Sequence, residues 1–115
     1  MAEFPSRGEI WLVSLDPAVG SETGKTRPAL VVSNDRNNQF ADTVTVIPIT
    51  SKTDKIYPFE VFISRHESRL PQDSKLKANQ IRTIDKRRLI KILANISAQK
   101  LSEAEEAILI HLGMT

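Results

Sequence analysis

The run Arg27-Pro28-Ala29-Leu30-Val31-Val32, entered through the loop Gly20-Ser21-Glu22-Thr23-Gly24-Lys25-Thr26, sets a cation at the mouth of a short apolar strand. A guanidinium is planar, always charged and able to grip two phosphate oxygens at once. Flanking glycines let a bulky anionic polymer approach the backbone closely. The chemistry this arrangement suits is phosphate binding or phosphate transfer. Taken alone, the segment also fits a solvated arginine at an ordinary loop-to-strand junction.

Gly24-Lys25-Thr26 is the ending of a phosphate-cradling P-loop, but the position where that motif opens with glycine is Val19. A P-loop must also lead into a helix, whereas Pro28 leads into a β-branched run bounded by Ser33-Asn34-Asp35. Nucleotide binding of that type is therefore rejected. Thr50 closes a second apolar run at Pro48-Ile49-Thr50-Ser51, where its hydroxyl either donates to an anion or caps the following turn. Over 75–82, period-two alternation puts Lys75, Lys77 and Asn79 on one face and Leu76, Ala78 and Gln80 on the other, so one face is polar and suited to lining a groove. His66 lies in a charged loop and His111 near a helix end, which suits structural roles for both. No Ser-His-Asp arrangement and no metal-binding HExxH pattern is present.

The elements that must position these residues are short. Strands are expected over 8–15, 28–33, 43–50, 58–63 and 75–82, the third ending or bulging at Pro48, and their number and spacing suggest a small barrel. A C-terminal helix is expected to start at Ser102, with Glu105 completing a Ser-x-x-Glu capping box, and to end at Gly113. Leu101, Ala104, Ile108 and Leu112 line one side of it. Residues 89–96 have helical spacing in Leu89, Ile92, Leu93 and Ile96 but are short and rich in isoleucine.

The length of 115 residues fits one domain over 1–115, without internal repeats or linkers. With no cysteine, disulfides and cysteine-based zinc sites are excluded, and the composition sits comfortably with a reducing cytosol. The best apolar run, Ile10-Trp11-Leu12-Val13, is too short to cross a bilayer, so a cytoplasmic protein is expected. Net charge is +2, divided as +5 over residues 1–100 and −3 over 101–115. Arg82, Lys86, Arg87, Arg88 and Lys91 crowd one segment, as a polyanion surface or as a solvated face.

Four pieces in order carry a resemblance. They are Gly8-Glu9-Ile10-Trp11-Leu12-Val13-Ser14-Leu15-Asp16-Pro17; Val19-Gly20-Ser21-Glu22 with Thr26-Arg27-Pro28; Ile47-Pro48-Ile49-Thr50-Ser51; and Gln80-Ile81-Arg82-Thr83-Ile84-Asp85-Lys86 with Leu89. Together they resemble the MazF/PemK (Kid) family of toxin endoribonucleases from bacterial toxin-antitoxin systems. The resemblance implies a mainly β fold with a C-terminal helix, an SH3-like small β-barrel, in which 91–96 is a strand after a helical turn near 86–89. It implies a homodimer that cleaves single-stranded RNA without a metal or other cofactor. A cognate antitoxin with an acidic C-terminal segment is implied as partner.

By the same resemblance, Arg27 and Thr50 are the catalytic pair. Ser21, Glu22, Lys25, Ser51, Lys77, Asn79 and Gln80 are expected to contact RNA. In the Kid-like branch a carboxylate, an arginine and a loop histidine are the assigned groups; this chain has Asn79, Lys77 and Ser21 at those places. It follows the MazF branch. Metal-free cleavage means that the ribose 2′-OH attacks its own phosphate, so charge on a five-coordinate phosphorane must be stabilised. Arg27 fits that task; arginine, permanently charged, is a poor base, and the base stays unassigned. Two other readings stand beside the nuclease: a silent nucleic-acid-binding barrel, and a gyrase poison like CcdB, which resembles this family in fold.

Overall fold

The computed structural model describes residues 4–115. Strands β1 (Glu9–Ser14), β2 (Thr26–Val31) and β3 (Thr43–Thr50) pair antiparallel in chain order, with the short helix α1 (Asp35–Phe40) between the last two. Next come β4 (Glu60–Ile63), the one-turn α2 (Arg65–Ser68), β5 (Ser74–Lys77), β6 (Arg82–Asp85), β7 (Leu89–Asn95) and α3 (Ala98–His111). The sheet order is β4-β5-β3-β2-β1-β7, and β6 also pairs with β3.

β3 holds this arrangement together because two strands share one of its edges. Thr43–Val46 pair with Asp85–Arg82, and Ile49 and Thr50 pair with Leu76 and Lys75. The single strand expected over 75–82 is therefore divided. β5 ends at Lys77, a 3₁₀ turn occupies Ala78–Gln80, and the chain re-enters the sheet as β6. The turn is pinned where Ala78, almost fully buried, donates its N–H to the Phe59 carbonyl at 3.2 Å. Pro48 does not end or bulge β3. It lies opposite Ala29 of β2 and, on the other side, in the gap between β6 and β5, where a missing N–H is tolerated.

Alternation along the strands gives the sheet two apolar faces. Ile10, Leu30, Ile47, Ile49, Val61 and Leu76 form one core with Ala104 and Ala107 of α3. Val13, Leu15, Ala29, Val31, Val44, Val46 and Ile84 form the other, with Trp11 and Leu89 packed on it. β1 thus feeds both cores, as its apolar residues on both faces predict. The edge strands β4 and β7 do not pair with each other. Val61 of β4 and Ala94 of β7 meet α3 in the same core, so the helix covers the seam of a barrel-like sheet.

The cap of α3 lies five residues before the expected one. Ser97 Oγ accepts from Lys100 N at 3.2 Å, and Ser102 is an exposed position inside the helix. Glu105, expected to complete a capping box, instead ion-pairs with Arg7. Gly113, at φ +71°, ends the helix as expected. Residues 89–95 are a strand after a 3₁₀ turn at Lys86–Arg88, so the helical spacing there is overridden by pairing with β1. No helix among the described residues is long and apolar enough to cross a membrane.

Candidate active site

Arg27 is the second residue of β2, opposite Val13 of β1, and is half-buried. Its Nε donates to the Gly24 carbonyl at 2.9 Å. The two η nitrogens have no hydrogen-bond partner among the described residues, so the fork is held at its stem and open at its tip. The loop that supplies Gly24 is fastened at several points. Leu15 N donates to Lys25 O at 2.8 Å, and Lys25 N donates to Asp16 Oδ1 at 2.7 Å. Thr23 N donates to Gln80 Oε1 at 3.1 Å, and Val19 N to Glu22 Oε1 at 2.6 Å. From the far side, Arg82 Nη1 donates to Leu15 O at 3.0 Å and Arg88 Nη1 to Ser14 O at 3.1 Å.

Gly24 is where the packing of this loop leaves no room for a side chain. A Cβ there would stand 2.6 Å from Asp16 Oδ1 and 2.8 Å from Ala18 Cβ. Gly24→Ala must displace either the Asp16 carboxylate or the carbonyl that holds Arg27. The expected result is a folded protein destabilised by about 1–3 kcal/mol in thermal or urea unfolding. Unfolding coincident with wild type would show that the loop gives way freely.

Thr50 ends β3 opposite Lys75 of β5. Its Oγ1 accepts from Lys52 N at 3.3 Å, which leaves the hydroxyl proton available to a second acceptor. The turn-capping and anion-donating readings of Thr50 are thus compatible. Arg27 and Thr50, from separate strands, line two adjoining cavities together. The smaller, about 210 Å³, is polar, with Ser21, Glu22, Lys52 and Lys77 among its walls. The larger, about 640 Å³, has Leu12, Ile49, Leu70 and Leu93 in its walls and Ser51, Arg69 and Lys91 as polar members. Among the described residues, Arg27, Lys52, Lys77, Arg69 and Lys91 form no ion pair.

Asn79 and Gln80 belong to a neighbouring cavity of about 370 Å³ with Arg82, and Glu22 lines both this one and the small polar cavity. Asn79 Oδ1 is buried without a hydrogen-bond partner. Gln80 is spent on the loop, through Thr23 N and a 3.5 Å bond from Nε2 to Ser21 O. Lys25 lines none of these three cavities; its backbone, at φ 66°, holds the loop and its side chain is exposed. Lys75, expected on the groove-lining face, is buried against Glu60.

The basic run 82–91 is neither wholly a polyanion surface nor wholly a solvated face. Arg82 and Arg88 hold loop carbonyls, Lys91 lines the large cavity, and Arg87 pairs with Asp85. The Arg87 hydrogen bonds hold the Asp85 carboxyl below the usual carboxylate range. His66 is exposed in α2, and His111 ends α3 with its ring 6.4 Å from that of Phe59. Among the described residues no group of three or more His, Asp or Glu side chains is placed to hold a metal ion. Lys52 and Arg69 are the members of the site that pattern reading misses, since each comes from a connection brought in only by strand pairing, whereas Lys91 belongs to the basic run already noted.

Known proteins share this sequence pattern and this fold. The profile of the family described as PemK-like, MazF-like toxin of type II toxin-antitoxin system matches residues 6–112. Endoribonuclease MazF9 of Mycobacterium tuberculosis is 46% identical over 113 residues, covering 94% of this chain and 96% of that protein. The crystal structure of MazF from Deinococcus radiodurans superposes with a TM-score of 0.86 at 31% identity, over 98% of this chain and 100% of that one. A MazE-MazF structure from the same organism gives 0.76 at 29% identity, over 99% and 100% of the two chains.

Proposed function

Since the chain belongs to the PemK-like, MazF-like toxins of type II toxin-antitoxin systems, we propose that it is an endoribonuclease that cuts single-stranded RNA by attack of a ribose 2′-OH on the adjacent phosphate. The observation that carries this reading is the convergence of Arg27 and Thr50 on one polar cavity, with the guanidinium tip unpartnered and the hydroxyl proton unspent.

The chemistry follows from those two groups. The scissile phosphate binds across the Arg27 fork, whose stem is fixed by Gly24 O. Thr50 donates to a second phosphate oxygen and so orients the ester for in-line attack. As the 2′-oxygen bonds to phosphorus, negative charge builds on the equatorial oxygens and is stabilised by the preorganised N–H donors. The bond to the 5′-oxygen breaks; the 2′-OH loses a proton and the 5′-oxygen gains one. Lys52 and Lys77 add positive charge to the same cavity, and their long side chains follow the flanking backbone.

The products are then a 2′,3′-cyclic phosphate and a 5′-OH. No step uses a metal, so fragmentation of a long single-stranded RNA should proceed unchanged in excess EDTA. The fragments should accept phosphate from a 5′-kinase without prior dephosphorylation. Strict dependence on added Mg²⁺, or 5′-phosphate ends, would refute the mechanism. In the cell the enzyme acts as a homodimer held in check by an antitoxin. An acidic antitoxin segment competes with RNA for the unpaired cations around Arg27, and folds as it binds. The edge strand β7, with Ile90 and Ile92 exposed, offers an apolar surface to the second copy.

A further inference from the structure

Lys75 sits beneath the active site. In β5 it is flanked by Thr50 of β3 and Phe62 of β4, and it is 8% exposed. Its Nζ donates to Glu60 Oε1 at 2.8 Å and to the Lys55 carbonyl at 2.7 Å, and stands 5.7 Å from the centre of the Tyr57 ring. Glu60, also 8% exposed, accepts Tyr57 N on the same oxygen at 2.9 Å. Glu60 N donates back to Tyr57 O at 2.8 Å, and the Tyr57 ring stacks on Phe59. One buried ion pair therefore holds the loop between β3 and β4 at Lys55 and Tyr57. The other end of that loop is Thr50, whose Oγ1 accepts the N–H of Lys52.

A buried ion pair is a poor way to add stability, because desolvating both charges offsets their attraction and apolar residues of similar size often serve as well. Its directional bonds do something packing cannot: they fix a backbone carbonyl and a backbone N–H in a loop that has no secondary structure of its own. That loop carries Lys52 into the cavity shared by Arg27 and Thr50. We propose that Glu60 and Lys75 are positioning residues for the reaction, presetting the loop 51–57 so that the Lys52 ammonium already faces the phosphate when RNA arrives. The inference rests on the nuclease reading for the identity of the phosphate, though not for the anchoring itself. Without the anchor, the loop must be ordered at the moment of binding, and affinity falls by that entropy.

The experiment couples Lys52 to its anchor in the full chain. Binding is measured by fluorescence anisotropy with an RNA oligonucleotide made uncleavable by 2′-deoxyribose, and loop opening by hydrogen exchange. Lys75→Met keeps the side-chain length and removes the donors. Amides of 51–57 should exchange faster while those of β3 and β5 do not. Lys52→Ala should weaken RNA binding about fivefold to tenfold in the wild-type background and less than about twofold beside Lys75→Met. Lys75→Arg, which keeps donors, should restore the Lys52 effect. If the single variant does not fold because Glu60 is left unpaired, Glu60→Gln with Lys75→Met removes both charges and takes its place. Equal costs of Lys52→Ala in both backgrounds, or unchanged exchange at 51–57, would overturn the proposal. If the wild type neither cuts nor binds any RNA, the nuclease reading falls, and the exchange measurement decides the anchoring alone.

Discussion

RNA carrying deoxyribose at the nucleotide whose 3′-phosphate is cut should remain intact with this protein, although the same strand in ribose form is cleaved. The 2′-OH is the nucleophile in the proposed mechanism, and removing it leaves only attack by an external water, without the intramolecular advantage. Well-oriented intramolecular attack is worth effective molarities of roughly 10⁵–10⁸ M, so cleavage should fall below detection. Binding should persist, because the deoxy strand offers the same phosphates to the cavity lined by Arg27, Thr50, Lys52 and Lys77. A gel of the two substrates side by side, with a binding titration of the deoxy form, separates loss of chemistry from loss of affinity. Efficient cutting of the deoxy strand would mean a hydrolytic enzyme with an external nucleophile.

Arg27→Lys should lower the cleavage rate on the order of 10²–10³, about 3–4 kcal/mol of transition-state stabilisation, while RNA affinity and unfolding temperature stay close to wild type. The wild-type guanidinium is pinned through Nε to Gly24 O and presents its η nitrogens as a fork. A lysine keeps the charge, but its ammonium cannot hold the stem bond and two parallel phosphate bonds together. Because catalysis depends on what is bound more tightly in the transition state, the loss should appear in single-turnover rate rather than in the dissociation constant. Cleavage within about threefold of wild type would reduce Arg27 to one charge among several that hold RNA.

Arg27 and Thr50, the pair proposed to carry the reaction, could be singled out because Arg27-Pro28 and Ile49-Thr50 are local patterns at strand ends, and the fold brings both to one cavity. Their surroundings were not. Period-two alternation over 75–82 does not register a single 3₁₀ turn, yet that turn moves the chain from one half of the β3 edge to the other. It also hides the fate of Lys75, whose partner Glu60 is known only once β4 and β5 are paired. The helix start was misplaced because Ser102-x-x-Glu105 satisfies the capping rule locally. Ala98 to Leu101 are good helix formers, and Ser97 caps them without any glutamate at the expected spacing. Glu105 was bound by a residue 98 positions away, which no window on the sequence contains.

The order in which the ribosome delivers this chain bears on when it becomes dangerous. Arg27 and Thr50 are both made before the midpoint, and β1, β2 and β3 can pair as soon as they emerge. Three of the groups that fasten the loop behind Arg27, namely Gln80, Arg82 and Arg88, come only with residues 80–88. The second neighbour of β1 comes later still, with 89–95. Domains fold as units during synthesis, and here the completing contacts are the last to leave the tunnel. Arg27 and Thr50 thus emerge well before the residues that complete the cleft around them, and the cleft is assembled only when synthesis is nearly finished.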